Sequence, residues 1–370
     1  MDVWLSMFLV IFMARFLINK ADKNPETRDK KFLIFAGVVI VFVMGSRSAT
    51  VTSSSDVNNY YRWYLNAPKT SWGDCFEHEN IEAGYLLLNK FLASVIRWPQ
   101  FIVYFEATFV TFFALRAIYK YTESVFIGLI CYLCMGNFIF ALTGFRQAIA
   151  ISICLYAIDF LIEKKNIRFV ILVLLARTIH QTAIVFLPIV VFANWKLDWK
   201  RILLMVIIMV ILSISMEKIM QIGNEAFERE YTDEFVGNFI GGIINLMIYG
   251  LAVFLPILNN YSILGSLARK LSALISIGII GIGVYAMRFQ SLVVERIALY
   301  FIMVMPLLMT HGLTYVRMKN ANQKKLMQIT ACTLLILLFM YRVDSTIGAE
   351  YTFFWEGNNL VRNLTSLGTI

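Results

Sequence analysis

Long, unbroken apolar runs constrain this chain more than anything else in it. They can be drawn at 3–18, 32–46, 99–118, 124–142, 146–162, 167–179, 181–193, 202–216, 237–258, 272–288, 293–310 and 327–343. Inside a bilayer the backbone has no water to bond, so only helices and closed barrels can cross it. Barrel strands are short and alternate apolar with polar residues; these runs do not alternate. Composition agrees: 59% of residues are hydrophobic and 15% charged, where a soluble domain carries about 25% charge. Mean hydropathy is +0.71. The expected fold is an all-α polytopic membrane protein with about 12 membrane-embedded helices, forming one domain over 1–370. Several runs fall short of the roughly 20 residues that a simple span needs. The pair 167–179 and 181–193 reads either as two spans or as one broken, re-entrant element.

A net charge of +9 would suggest nucleic acid in a soluble protein. Here the cations sit in alternate loops: 19–31, 163–168, 194–201, 259–271 and 311–326. The positive-inside rule makes that side cytoplasmic, which puts both termini outside. The opposite loops, at about 47–98 and 217–236, are acidic, with Asp74, Glu77 and Glu79 in the first and Glu217, Glu225, Glu228, Glu230, Asp233 and Glu234 in the second. The first run has no basic segment before it and no small-residue cleavage site after it, so it reads as a retained helix. Cys131, Cys134, Cys154 and Cys332 fall in apolar runs. Cys75, in the first external loop, has no evident disulfide partner.

The chemistry-bearing residues cluster around one stretch, Thr143–Pro188. Arg146 and Gln147 open one apolar run, and Arg177 and His180 close another. With Arg288 and Arg296, these groups collect at or near the external face of the expected topology. An arginine presents a planar, permanently charged fork that matches phosphate oxygens. At a membrane face it also snorkels, or pairs with an acid such as Glu295. His180 suits a hydrogen bond to phosphate or proton transfer, and equally a satisfied helix end. In the first external loop Asp56, Tyr60 and Tyr64 are spaced i, i+4, i+8, beside Asn59 and Trp63, which sets an acid and aromatic rings on one helical face. Ala83–Ile96 reads as an interfacial amphipathic helix with Leu86, Leu87, Leu88, Phe91 and Leu92 apolar, and Glu82 and Tyr85 at its start. Asp56 and Glu82 are candidate bases for a sugar hydroxyl; each also reads as a solvated loop acid. Glu106, within a run, is a candidate for supporting the site. The chain has only His78, His180 and His311 and no ligand cluster of good spacing, so no metal is expected. No cofactor motif occurs: there is no D-x-D, Walker A loop, G-x-S-x-G or dinucleotide fingerprint.

Several of these pieces resemble the EpsG family, which belongs with the Wzy-type O-antigen and capsule repeat-unit polymerases. They are Ser46-Arg47 followed by Asp56-Val-Asn-Asn-Tyr60, Glu82-Ala-Gly-Tyr85, Phe145-Arg146-Gln147, Leu175-Ala-Arg-Thr-Ile-His180, Arg296-Ile-Ala-Leu-Tyr300 and Tyr351–Trp355. The resemblance implies a GT-C-like fold in the bacterial cytoplasmic membrane, with an external cavity. It implies a cofactor-independent transferase for undecaprenyl-diphosphate-linked oligosaccharides, working with a flippase and a chain-length regulator, and not with nucleic acid. Catalytic candidates are then Glu82, Asp56, His180 and Arg146; substrate-binding candidates add Gln147, Arg177, Arg288, Arg296, Tyr60, Tyr85 and Tyr300. A flippase or transporter for the same lipids, an O-antigen ligase or a membrane acyltransferase are the competing readings.

Overall fold

A computed structural model describes residues 2–48, 55–77, 81–216, 218, 221, 239–260, 268–347 and 351–356. His78, Glu79 and the acidic loop 217–236, apart from positions 218 and 221, lie outside the described residues. Among the described residues every regular element is helical, and one isolated bridge joins Arg47 to Phe353. The helices are α1 (Asp2–Ala21), α2 (Pro25–Gly45), α3 (Ser55–Asn66), α4 (Ala83–Val95), α5 (Gln100–Tyr121), α6 (Val125–Cys134), α7 (Asn137–Ala141) and α8 (Phe145–Ile162). They continue with α9 (Asn166–Ile179), α10 (Ile189–Phe192), α11 (Trp199–Ile214), α12 (Phe239–Asn259), α13 (Arg269–Ala286), α14 (Leu292–Ile302), α15 (Met305–Tyr315) and α16 (Ala321–Ile347).

The chain forms two compact units. The first contains Met1–Tyr156, Leu174–Gln181 and Ile329–Ile370; the second contains Ala157–Val173 and Thr182–Gln328. In the first, α1 and α2 form a helical hairpin. Asn24 caps α2 by accepting from the Glu26 N–H, and Pro25 starts it, as an N-cap and a first-turn proline should. The Arg15–Asp29 ion pair, 2.6 Å, ties the two arms. Helix α2 lies closely along α5, because a Cβ on Gly45 would stand 2.3 Å from the Tyr104 ring. Trp4, 2% exposed, meets Phe138, Phe339 and Tyr351 edge-on.

In the second unit α8 ends in a left-handed Lys164, φ 61°. The Lys165 N–H reaches back to the Phe160 carbonyl at 2.7 Å and the Lys164 N–H to Leu161 at 3.1 Å, the Schellman pattern. Arg269 donates to the carbonyl of Ile162 at 2.7 Å, adds a second bond to that of Leu161 at 3.1 Å, and also donates to Asn194. A guanidinium at a helix C-terminus complements its dipole. Three of the basic loops, around 163, 194 and 269, therefore meet at one place.

Among the described residues six helices are long and apolar enough to cross a membrane, or seven if one bent pair counts as a span. Several of the twelve expected runs are not single unbroken helices, for identifiable reasons. The run 124–142 breaks at Gly136, φ 108°, into α6 and α7; that backbone angle is one glycine supplies without strain. The run 293–310 bends by 50° between α14 and α15. Pro306 sits in the first turn of α15, where it lacks the N–H to continue α14 and its ring opposes the carbonyl of Ile302. The run 181–193 is a 3₁₀ turn, Gln181–Phe186, followed by the four-residue α10. Asn194 returns to Asn166, amide to amide at 3.4 Å. The two ends of segment 166–194 therefore meet.

The external-loop helices form where the spacing places them, with one reversal. Helix α3 buries Tyr60 and Tyr64. Helix α4 buries Tyr85, Asn89, Lys90, Leu92 and Ala93, while Phe91 is 60% exposed. Its buried stripe is partly polar because Lys90 donates to the carbonyls of Ala67 and Thr70, closing the loop in front of it.

Candidate functional site

Three chain segments converge on the carboxylate of Glu82 in the first unit. Glu82 precedes α4 in an extended conformation, φ −62° and ψ 132°, so its side chain is not drawn into the helix. Arg146, in the first turn of α8, donates from Nη1 to Oε2 at 2.5 Å. His180 Nδ1 lies 3.1 Å from Oε1, and the Gln181 backbone N–H donates to the same oxygen at 3.0 Å. The last two come from the point where α9 stops and the 3₁₀ turn begins, so the helix break itself presents a backbone donor. Helix α4 can approach this point because residue 84 is glycine: a Cβ there would stand 2.5 Å from the Thr178 carbonyl oxygen.

The cluster is largely withdrawn from solvent, with side-chain exposures of 9% for Glu82, 16% for Arg146 and 14% for His180. Burial alone would raise the Glu82 carboxyl. The hydrogen bond with His180, the charges of Arg146 and His180 and the Gln181 N–H outweigh it. They hold the carboxyl at about 2, against 4.5 for an ordinary glutamate.

Aromatic rings wall the cluster. The Arg146 guanidinium stands 5.1 Å over the Trp63 ring, a cation–π contact that is stronger away from water. Trp63, Tyr60 and Tyr85 pack edge to face at 5.5–6.1 Å, and Tyr60 stacks on Phe145 at 4.7 Å. Asp56 is half-buried, one turn before Tyr60 on α3. Gln147 is buried beside Arg146.

The structure thus brings together Glu82, Arg146, His180, Tyr60 and Tyr85 of the residues singled out in the sequence. Arg177, one turn before His180 on α9, is exposed. Arg288, Arg296 and Tyr300 belong to the second unit. There Arg288 pairs with Glu295 at 3.1 Å and donates to the Tyr285 hydroxyl at 2.8 Å, the satisfied arrangement expected of a structural arginine. Arg296 is exposed on α14, and the buried Tyr300 hydroxyl accepts from Thr182 at 3.2 Å. Sequence reasoning did not assign Trp63 or the Gln181 N–H to the site. The i, i+4 step from Asn59 to Trp63 was a signal for the first; a donor created by a helix break leaves none. Among the described residues no three His, Cys, Asp or Glu side chains gather as metal ligands.

Comparison with known proteins gives one finding. The profile of the EpsG family matches residues 30–355, most of the chain. No curated protein matches, and no solved structure does.

Proposed function

We propose, since this chain belongs to the EpsG family of Wzy-type polymerases, that it joins undecaprenyl-diphosphate-linked oligosaccharide repeats. The growing glycan passes from its lipid diphosphate to the non-reducing end of a newly delivered repeat. The reaction runs at the outer face of the bacterial cytoplasmic membrane, and both chain termini face outward. A flippase supplies the repeats and a chain-length regulator attends the product.

The observation that carries this reading is the convergence of Glu82, Arg146 and His180 beside an aromatic wall. Glycosyl transfer from a lipid diphosphate breaks the bond between the anomeric carbon and a phosphate oxygen. Negative charge grows on that oxygen, and a preorganised cation stabilises it most where water is excluded. Arg146 is such a cation. Its fork stands ready on Trp63, balanced by Glu82 until a diphosphate competes for it. His180 supplies a second donor. The protein's own cations thereby take the part that a metal ion plays in many sugar transferases.

The same geometry sorts the carboxylates. A carboxyl held at about 2 by three donors is a weak base, since general bases work best with a pKa near the working pH. Glu82 is therefore assigned to orienting Arg146 and His180. Asp56, on the Tyr60 face of α3, is assigned to accepting the acceptor hydroxyl's proton. The partly exposed Trp63 offers a face for a sugar ring, whereas Tyr60 and Tyr85, expected to bind substrate, are buried and wall the cluster from behind. Arg177 is assigned to lipid-diphosphate binding. The parts of Arg288, Arg296 and Tyr300 are tested by separate variants.

The test is chain-length analysis of surface glycan in a deletion strain complemented with wild type, Arg146→Ala or His180→Ala. With both variants present in the membrane at wild-type level, long chains should collapse to single repeats. Normal length in both would overturn the assignment. Purified protein with two lipid-linked repeats then separates the competing readings: coupled sugars support the polymerase, whereas transport without coupling supports a flippase.

A further inference from the structure

Helices α2 and α5 of the first unit run antiparallel, and a groove lies between them. Three contacts fix their register. At one end Gly45 abuts the Tyr104 ring, and midway a Cβ on Gly37 would stand 2.9 Å from the Leu115 side chain. At the other end the Lys30 ammonium lies 5.7 Å from the centre of the Tyr119 ring. The groove along this line has a volume of about 710 Å³, within the range of small-molecule sites. Its walls are apolar for most of their length, and Ile34, Val38 and Phe112 in them are 59–69% exposed. Helix α5 is long and apolar enough to cross a membrane, so the open side of the groove meets lipid.

The charged residues of this lining, Lys30 and Arg116, both stand at the Tyr119 end. Arg116 is one turn before Tyr119 on α5, and its guanidinium lies 4.6 Å from the centre of the Tyr156 ring, which holds it in place. It sits about 7 Å short of the helix end, at the edge of the hydrocarbon, where a cation reaches for a headgroup phosphate. Lys30 pairs with Glu26, one turn earlier, at 2.6 Å, with both side chains more than half exposed. An exposed pair of this kind is weak and yields to a stronger anion. Two other grooves give a contrast. One of about 510 Å³ between α1 and α2, and one of about 420 Å³ in the second unit, have no charged side chain in their described linings.

Length and polarity together describe the occupant. From Lys30 to Phe42 helix α2 rises about 18 Å, and one leaflet of hydrocarbon is about 15 Å deep, half of the bilayer core. The groove is thus as long as a lipid tail, apolar along that length, and cationic at one end. A basic pocket between membrane helices selects an anionic headgroup. We infer that the α2–α5 groove binds one anionic phospholipid. Its phosphate lies at Arg116 and Lys30, and an acyl chain runs along Ile34, Val38 and Phe112. None of the residues assigned to glycan transfer lines the groove, so the site stands whether or not that assignment does.

The experiment titrates purified full-length protein in detergent with phosphatidylglycerol or with phosphatidylcholine of the same chains, and counts bound lipid by native mass spectrometry. Wild type should hold one phosphatidylglycerol about tenfold more tightly than phosphatidylcholine. Arg116→Gln and Lys30→Gln should each weaken phosphatidylglycerol about fivefold and leave phosphatidylcholine unchanged. Lys30 is exposed at the start of α2, so its variant reports even where Arg116→Gln fails to fold. Thr108→Trp, at an exposed position in the groove wall, keeps both cations but fills the groove, and should weaken phosphatidylglycerol about tenfold. Lys325→Gln, on α16 and outside the groove, should change nothing. Equal affinity of the wild type for the two lipids would overturn the site. So would equal losses from Lys325→Gln and Lys30→Gln, which would mean diffuse attraction to a basic surface. Glycerol phosphate displacing the lipid at equal concentration would show that no chain is held. Farnesyl diphosphate displacing it as well as phosphatidylglycerol does would make a prenyl diphosphate the occupant and refute the inference.

Discussion

Glu82 is the residue on which the site turns, and its neighbours make its behaviour predictable. Glu82→Gln keeps the shape but removes the charge that faces Arg146. Breaking a buried pair on one side costs on the order of 3 kcal/mol, so Tm should drop. Glycan joining should fall by about 10²–10³ if Arg146 and His180 lose their aim. Unchanged rates in a membrane-inserted variant would show that orientation is not its task. The pH dependence has a definite sign. The folded carboxyl sits at about 2, below its ordinary 4.5, so the stability it contributes is complete above the ordinary value. It is lost as pH falls through about 2. Infrared difference spectra against Glu82→Gln should therefore show an ionised carboxylate still present at pH 4. A protonated carboxyl band at that pH would mean that the pair does not hold in solution. The spacing of residues in the sequence made Glu82, Arg146 and His180 candidates separately; their meeting on one carboxylate lies 64 and 98 residues apart in the chain, beyond the reach of any local pattern.

The contact between α4 and α9 is the element-level condition for the site. At Gly84 there is no space for a side chain against the Thr178 backbone. Gly84→Val should push α4 away from the helix break, parting Glu82 from His180 and the Gln181 N–H. Overpacking of this kind typically costs about 1–3 kcal/mol, and long glycan chains should disappear with it. Gly250, inside α12, has nothing within 4 Å of where a Cβ would go. Gly250→Ala should leave chain length unchanged and stabilise the helix by about 0.5–1 kcal/mol. Matching effects at the two positions, read by Tm and glycan length, would refute the steric account. The 3.6-residue period made α3 and α4 legible as helices. It misjudged which side of α4 is covered, because the covering is a loop whose carbonyls attract Lys90 rather than an apolar neighbour.

For the molecule as a whole, orientation is the consequence most open to test. Arg269 draws the end of α8 and Asn194 together, so the loops at 163–168 and 259–271 share a side. The native cysteines are buried apart from the partly exposed Cys332, which leaves little background for labelling. Single cysteines at Lys164 and Lys270 should react with an impermeant maleimide from the same side of the membrane, and one at Thr70 from the other. Labelling of 164 and 270 from opposite sides would break the arrangement. Labelling of all three from one side would remove the external site. The basic loops carried this information in the sequence, since charge bias is a property of composition that folding does not alter.

Hydropathy by itself determined that the chain lives in a membrane as helices, because the demand for internally bonded backbone leaves apolar runs of that length no other state. Motif residues at their spacing determined the family. Only the three-dimensional arrangement decided which runs are single unbroken helices, since a glycine at positive φ or a proline at a bend changes direction without changing hydropathy. It also decided which charges neutralise one another. Glu82 with Arg146 and His180, and Arg288 with Glu295, are relations in space, and electrostatics depends on distance in space rather than on order along the chain.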